Sequence, residues 1–140
     1  MPVLLHADDQ AWVTRPDEAI TVWEGDTADP LLGSGLTLIR CGGHFPGSCV
    51  LHWAAGAGGA GALLTGDTIQ VAADRSWVSF MFSYPNLIPL GADAIRRIVA
   101  AVEPYSFDCL YGGWSGSIVA TDAKEAVRRS AARYLARIER

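Results

Sequence analysis

The stretch from Leu36 to Asp67 constrains this chain most, because two apolar segments within it each end in glycine followed by a side chain that can bind a metal. His44 follows two glycines after the first segment, and Asp67 follows Gly66 after the second. A ligand just past a strand end is aimed by a rigid element, and glycine permits backbone torsions that other residues resist. The pattern therefore predicts that His44 and Asp67 act together.

Two motifs in this stretch carry a family resemblance. Gly-Gly-His44-Phe-Pro-Gly-Ser48 is similar to a Gly-His-x-Pro-Gly-Ser loop, and Leu-Leu-Thr-Gly-Asp67 is similar to a later strand that ends in Gly-Asp. Together they resemble the metallo-β-lactamase-fold hydrolases. In that family the histidine binds one metal and the aspartate binds or bridges a second. The resemblance thus implies zinc or another divalent transition metal, with His44 and Asp67 as ligands and Asp67 as a catalytic residue.

Other motifs of that family are absent from this sequence. The family's first metal motif, His-x-His-x-Asp-His, belongs upstream of His44, and no such cluster occurs there. The family's last histidine would fall where Trp114 stands, and tryptophan cannot bind zinc. His6 and His52 are the additional candidate ligands. The alternatives are a strand end with a helix cap at His6, and a hydrogen-bonded structural histidine within a strand at His52.

The three cysteines are odd in number and widely spaced. This pattern fits neither a disulfide framework nor a Cys-x-x-Cys metal clip. We expect small buried hydrophobic side chains, which is the common state of free cysteine. Cys41, three residues before His44, is the one position where a thiolate ligand remains an alternative.

Composition excludes several functional classes. Among 140 residues, 50% are hydrophobic and 19% charged, with a net charge of −4, which argues against disorder and against a nucleic-acid footprint. The apolar runs fall far short of the roughly 20 residues that a membrane span requires. No basic and apolar leader precedes Pro2. We expect a cytoplasmic protein that binds neither nucleic acid nor membrane.

The order of predicted elements indicates an α+β fold. Alternation and helical spacing predict strands and helices at Val3–His6, Ala7–Thr14 (a short helix), Ala19–Glu24, Leu36–Arg40, Cys49–Ala54, Ala62–Thr65, Trp77–Phe82, Gly91–Val102 (a helix), Phe107–Tyr111 and a last helix that Asp122 caps with Glu125. With the resemblance, this order predicts an αββα metallo-β-lactamase-like sandwich. The chain would be one domain, 1–140, covering mainly the C-terminal half and incomplete at its N-terminus.

A half-sandwich would expose apolar surface and an unpaired sheet edge, which folded monomers avoid. We therefore expect a homodimer that buries the region from Trp77 to Leu90. The small-molecule substrate cannot be read from the sequence. The functional prediction is a domain descended from metal-dependent hydrolases with a degenerate metal site. The alternative is an active hydrolase of an ester, amide or thioester whose site a partner chain completes.

Overall fold

A six-stranded mixed sheet forms the centre of the computed structural model, which describes residues 2–139; the two terminal residues of the predicted domain 1–140 lie outside that range. In chain order the strands are β1 (Val3–His6), β2 (Ile20–Trp23), β3 (Thr27–Ala28), β4 (Leu36–Arg40), β5 (Cys49–Trp53), β6 (Ala62–Gly66), β7 (Gln70–Val71), β8 (Val78–Ser79), β9 (Met81–Ser83), β10 (Ile88–Pro89), β11 (Cys109–Gly112) and β12 (Ile118–Val119). The helices are α1 (Ala92–Val102) and α2 (Ala123–Ile138), with two short 3-10 helices at Ala7–Trp12 and Ala57–Gly59.

The main sheet has the strand order β12-β11-β6-β5-β4-β3. Strands β6 and β11 pair in parallel, and their connection includes α1, whereas the other neighbours are antiparallel. Smaller two-stranded ribbons form from β1 with β2, β7 with β8, and β9 with β10. Because side chains alternate along a strand, the register of this sheet assigns every side chain to one of two faces.

Both α-helices pack on one face of the main sheet. Helix α1 contributes Ile95, Ile98 and Val102 to the core, and α2 contributes Val127 and smaller side chains. The sheet side chains in the same cluster are Ile39, Val50, Leu63, Leu110 and Val119. Within residues 2–139, neither helix combines the length and apolar character needed to cross a membrane.

The opposite face of the sheet carries a row of apolar side chains that lie directly across from one another on five strands. Leu64, at the centre of this row, is 39% exposed. Both α-helices contribute to the core of the other face, and among residues 2–139 the 3-10 helix Ala7–Trp12 lies near the β4 end of this row, where Asp8 pairs with Arg40. We call this surface the open sheet face; its members are Leu38, Leu51, Leu64, Tyr111 and Ile118.

The predicted αββα metallo-β-lactamase-like sandwich is wrong for this chain. That architecture needs two sheets packed face to face between two helical layers. The described residues instead form one main sheet with several short strands and two helices on a single side. Element order alone could not reveal this, because a helical pattern records which stripe of a helix is apolar but not how many sheets it covers.

The structure departs from the predicted local elements at several places. The segment predicted as the helix Ala7–Thr14 is a 3-10 helix over Ala7–Trp12. The single strand predicted for Trp77–Phe82 divides into β8 and β9 around the fully buried Phe80. The predicted capping box is also wrong: Asp122 has a left-handed backbone and makes no side-chain cap hydrogen bond. The Asp108 carboxylate accepts the Asp122 N–H instead, at 2.8 Å.

The region from Trp77 to Leu90 is divided between the core and the surface. Val78, Phe80 and Leu90 are buried in the core with the two helices, and these side chains cannot drive association a second time. Phe82 and Leu87 are exposed and still present apolar surface. The dimer interface predicted for this region therefore stays a prediction.

Gly61 is the tightest backbone approach in the fold. It has φ +87°, and a Cβ at this position would overlap the carbonyl oxygen of Ser106, which also accepts a hydrogen bond from His52 Nε2. We predict that Gly61→Ala lowers the free energy of unfolding by about 3 kcal/mol or more, because backbone strain adds to overpacking. Gly58→Ala is the control, since Gly58 has φ +66° with open space around it and should lose only about 1 kcal/mol. Urea unfolding would measure both; equal losses would contradict the close approach.

Candidate functional site

Three strands of the main sheet end at one edge, and the predicted site lies there. Strands β4, β6 and β11 run in the same direction, since β5 is antiparallel to both β4 and β6, and β11 is parallel to β6. The residues that follow these strands are therefore neighbours in space. They include His44 after β4, Asp67 after β6 and Trp114 after β11.

His44 is half-buried and held by the backbone of β9. Its Nδ1 lies 3.1 Å from the carbonyl oxygen of Met81, and because a carbonyl only accepts, Nδ1 carries the proton. The ring also contacts Phe45, at 5.1 Å between centroids, and Tyr84, at 5.3 Å. The remaining nitrogen, Nε2, is the atom through which His44 could bind a ligand.

Asp67 is exposed and is linked to His44 through Tyr84. The Tyr84 hydroxyl donates to the main-chain carbonyl of Asp67 at 2.7 Å, while its ring packs against His44. Burial raises the pKa of Tyr84, and the charge of Asp67 adds to this effect. Tyr84 therefore remains protonated and acts as a hydrogen-bond donor. Sequence reasoning missed its role, although aromatic residues in the irregular loop at 83–90 were the available signal.

The two additional candidate ligands are committed to structural hydrogen bonds. His6 Nε2 donates to the Gly25 carbonyl at 3.0 Å, and its Nδ1 accepts the Asp8 N–H at 3.2 Å. His6 is therefore a strand-end residue that caps the following 3-10 helix, which was the alternative to a metal ligand at this position. His52 Nε2 donates to the Ser106 carbonyl at 2.8 Å.

His52 also lies far from His44 along the sheet. It is the fourth residue of β5, whose first residue is at the edge that carries His44, and a strand advances about 3.3 Å per residue. Its side chain is on the helix-covered face, since it pairs with Leu63. The structure therefore brings His44 and Asp67 to one edge and leaves His6 and His52 elsewhere.

Trp114 lies at the same edge but fills no site. Its side chain is 69% exposed. The neighbouring Gly113 is the residue that approaches Asp67: a Cβ there would lie 3.4 Å from Asp67 Oδ1. Trp114 thus adds apolar surface to the edge without occupying the place of a metal ligand.

The residues present do not fit a catalytic zinc ion. Such a site normally has three protein ligands with one open position. Within residues 2–139, no group of three or more His, Cys, Asp or Glu side chains is placed to hold a metal. Cys41 does not supply the missing ligand, because it is buried and burial raises the pKa of its thiol to about 12, with Cys49 contributing further.

Comparison with known proteins identifies a relative without a described activity. No family model matches the chain. An uncharacterized protein of Bacillus subtilis (strain 168), YmaE, is 53% identical over 134 residues. The match covers 96% of this chain but 48% of the relative, so the chain spans about half the length of the curated relative that it matches.

The buried thiol of Cys41 makes stability depend on alkaline pH. A thiol in the unfolded chain ionises near pH 8.5, whereas folded Cys41 stays protonated to about pH 12. Above about pH 8.5 the unfolded state loses this proton and the folded state keeps it, so the free energy of unfolding falls as pH rises. The slope from Cys41 approaches about 1.4 kcal/mol per pH unit. Urea unfolding at several pH values should show this slope reduced in Cys41→Ala; an unchanged slope would contradict it.

Proposed function

We propose that this chain is a domain descended from metal-dependent hydrolases related to the metallo-β-lactamase family, with a degenerate metal site, and that it acts as a binding module. The observation that supports this most is the separation of the candidate ligands. His44 and Asp67 occupy one sheet edge, as the motifs require, whereas His6 and His52 use their ring nitrogens to hold backbone elsewhere. Two ligands leave a divalent ion held mainly by water, so affinity should be weak.

This proposal predicts that protein purified without an affinity tag is largely metal-free and hydrolyses β-lactams, thioesters and simple esters no faster than buffer. His44→Ala should then cost about 1 kcal/mol of stability, because it removes only local packing and the bond to Met81. Elemental analysis and urea unfolding would measure the two effects. His52→Ala is the control, since any metal held at the predicted edge would survive it.

The second candidate is an active hydrolase of an ester, amide or thioester, completed by another chain or segment. Two observations favour it: His44 and Asp67 share an edge, and the chain spans about half of its relative. In that case the protein would carry about one zinc or similar ion per chain. His44→Ala and Asp67→Ala would each abolish both metal binding and hydrolysis. That result would refute the proposal that the metal site is degenerate.

We also propose that the chain forms a homodimer in the cytoplasm through the open sheet face. Burying such a face against a second sheet is the usual way that sheets avoid wet apolar surface. The proposed partner is a second copy of this chain, because the row is self-complementary in its apolar character; nucleic acid and membrane are not part of the proposal.

Leu64 lies at the centre of the proposed interface, so its substitution by a charge should separate the subunits. We predict a dimer at micromolar concentration for the unmodified chain and a folded monomer for Leu64→Glu, because burying an unpaired carboxylate is costly. Light scattering coupled to gel filtration, with circular dichroism for folding, would measure this. Leu32→Glu is the control, since Leu32 is 91% exposed in a loop. A monomeric unmodified chain would refute the interface.

A further inference from the structure

A cleft of about 500 Å³ lies between the loop that follows β4 and helix α1. Its walls come from the last residue of β4, from the glycine loop that carries His44, from the middle residue of β9 and from one arginine of α1. The lining residues are Arg40, Gly42, Gly43, His44, Pro46, Phe82 and Arg97. Two of these side chains carry a full charge, and both are arginines: Arg40 and Arg97.

Arg97 has no carboxylate partner within 4.0 Å among residues 2–139, in contrast to its neighbour. Arg96, the preceding residue of α1, forms ion pairs with Asp93 and Glu139. An arginine that faces a cleft without a counter-charge retains its full set of five donors for a ligand. The guanidinium of Arg97 is therefore the first component of an anion site.

Arg40 supplies the second component from the end of β4. Its Nη2 forms an ion pair with Asp8 Oδ2 at 2.5 Å, which neutralises one charge. Its Nε is buried and lacks an acceptor among residues 2–139. The guanidinium of Arg40, a lining residue of the cleft, is thus only partly satisfied by Asp8. Counted together, Arg40, Arg97 and Asp8 leave one positive charge in the cleft.

The glycine loop holds Arg97 in place. Gly43 has φ +94°, and a Cβ there would lie 2.8 Å from Ile98 Cδ1, so only glycine lets the loop press against α1. A Cβ at Gly42 would lie 3.7 Å from Arg97 Nε, which places the guanidinium directly beside the loop. The glycines that resemble a metal-site motif thus also form the wall of the cleft.

Other acidic groups near the cleft do not neutralise Arg97. Asp9 accepts the Gly47 N–H at 2.7 Å and forms no ion pair with Arg97 among residues 2–139. Asp26 lines a neighbouring cleft of about 390 Å³, which both arginines border, yet it forms no ion pair with either within residues 2–139. The apolar part of the wall is Phe82, whose side chain is 60% exposed.

We propose that this cleft binds a small organic anion, with its carboxylate or phosphate group between Arg97 and Arg40 and its apolar group against Phe82. Arginine matches planar or tetrahedral oxyanions with two parallel hydrogen bonds, and an exposed aromatic ring offers a surface for an apolar substituent. The proposal goes beyond the proposed function, since it requires neither metal nor dimer.

Calorimetric titration of the full chain with benzoate, phenyl phosphate and inorganic phosphate would test it, at an ionic strength of about 0.15 M to screen weak surface binding. We expect saturable binding of an aromatic anion, weakened about tenfold or more by Arg97→Gln, because a charge-assisted hydrogen bond contributes about 1.5 to 3 kcal/mol. Arg96→Gln, the matched control on the same helix, should stay within about twofold. Phe82→Ala should weaken the aromatic probes and spare inorganic phosphate.

The three probes also distinguish the anion. Phenyl phosphate bound with benzoate inert would assign a phosphate ligand, and the reverse would assign a carboxylate. No saturable binding up to about 10 mM, or equal losses in Arg97→Gln and Arg96→Gln, would overturn the proposal. Repeating the titration with a chelator separates it from the metal question, because the expected binding persists whether or not the chain carries metal.

Discussion

The packing of both helices against one face of a single sheet is the constraint on which the rest of this structure depends. It places Ile98 of α1 over the helix side of β4 and β5, and it buries Phe80 between β8 and β9 in the same core. Because both α-helices cover one side, the opposite face keeps an aligned row of apolar side chains centred on Leu64. The buried core and the open sheet face thus both result from the placement of the two α-helices.

The loop after β4 connects that packing to the candidate site. Gly43 touches Ile98 more closely than any side chain would allow, so the loop and α1 hold each other in position. His44 leaves the loop toward β9 and Tyr84, while Arg97 of α1 lies against its other side. A single glycine contact therefore positions both the histidine of the family-like motif and the arginine of the cleft.

Hydrogen bonding of the three histidines separates structural from functional roles. His6 uses both ring nitrogens on backbone groups, and His52 gives a proton to Ser106. His44 uses one nitrogen on Met81 and keeps the other at the sheet edge. A histidine whose nitrogens are engaged stabilises its neighbours and contributes little to a metal site. The chemistry of this edge consequently belongs to His44, Asp67 and the groups around them.

The sequence by itself determined the strands over Val3–His6 and Leu36–Arg40, because alternation and residue type act over a few neighbouring residues. It also placed His44 and Asp67 past strand ends, since glycine marks such ends. The tertiary structure alone decided the number of layers, which depends on where distant segments pack. It alone decided the start of α2, where the carboxylate of Asp108, the residue before β11, accepts the Asp122 N–H that the predicted capping box assigned to Glu125. Contacts between residues far apart in the chain leave no local pattern, and these contacts set both the open sheet face and the arginine-lined cleft.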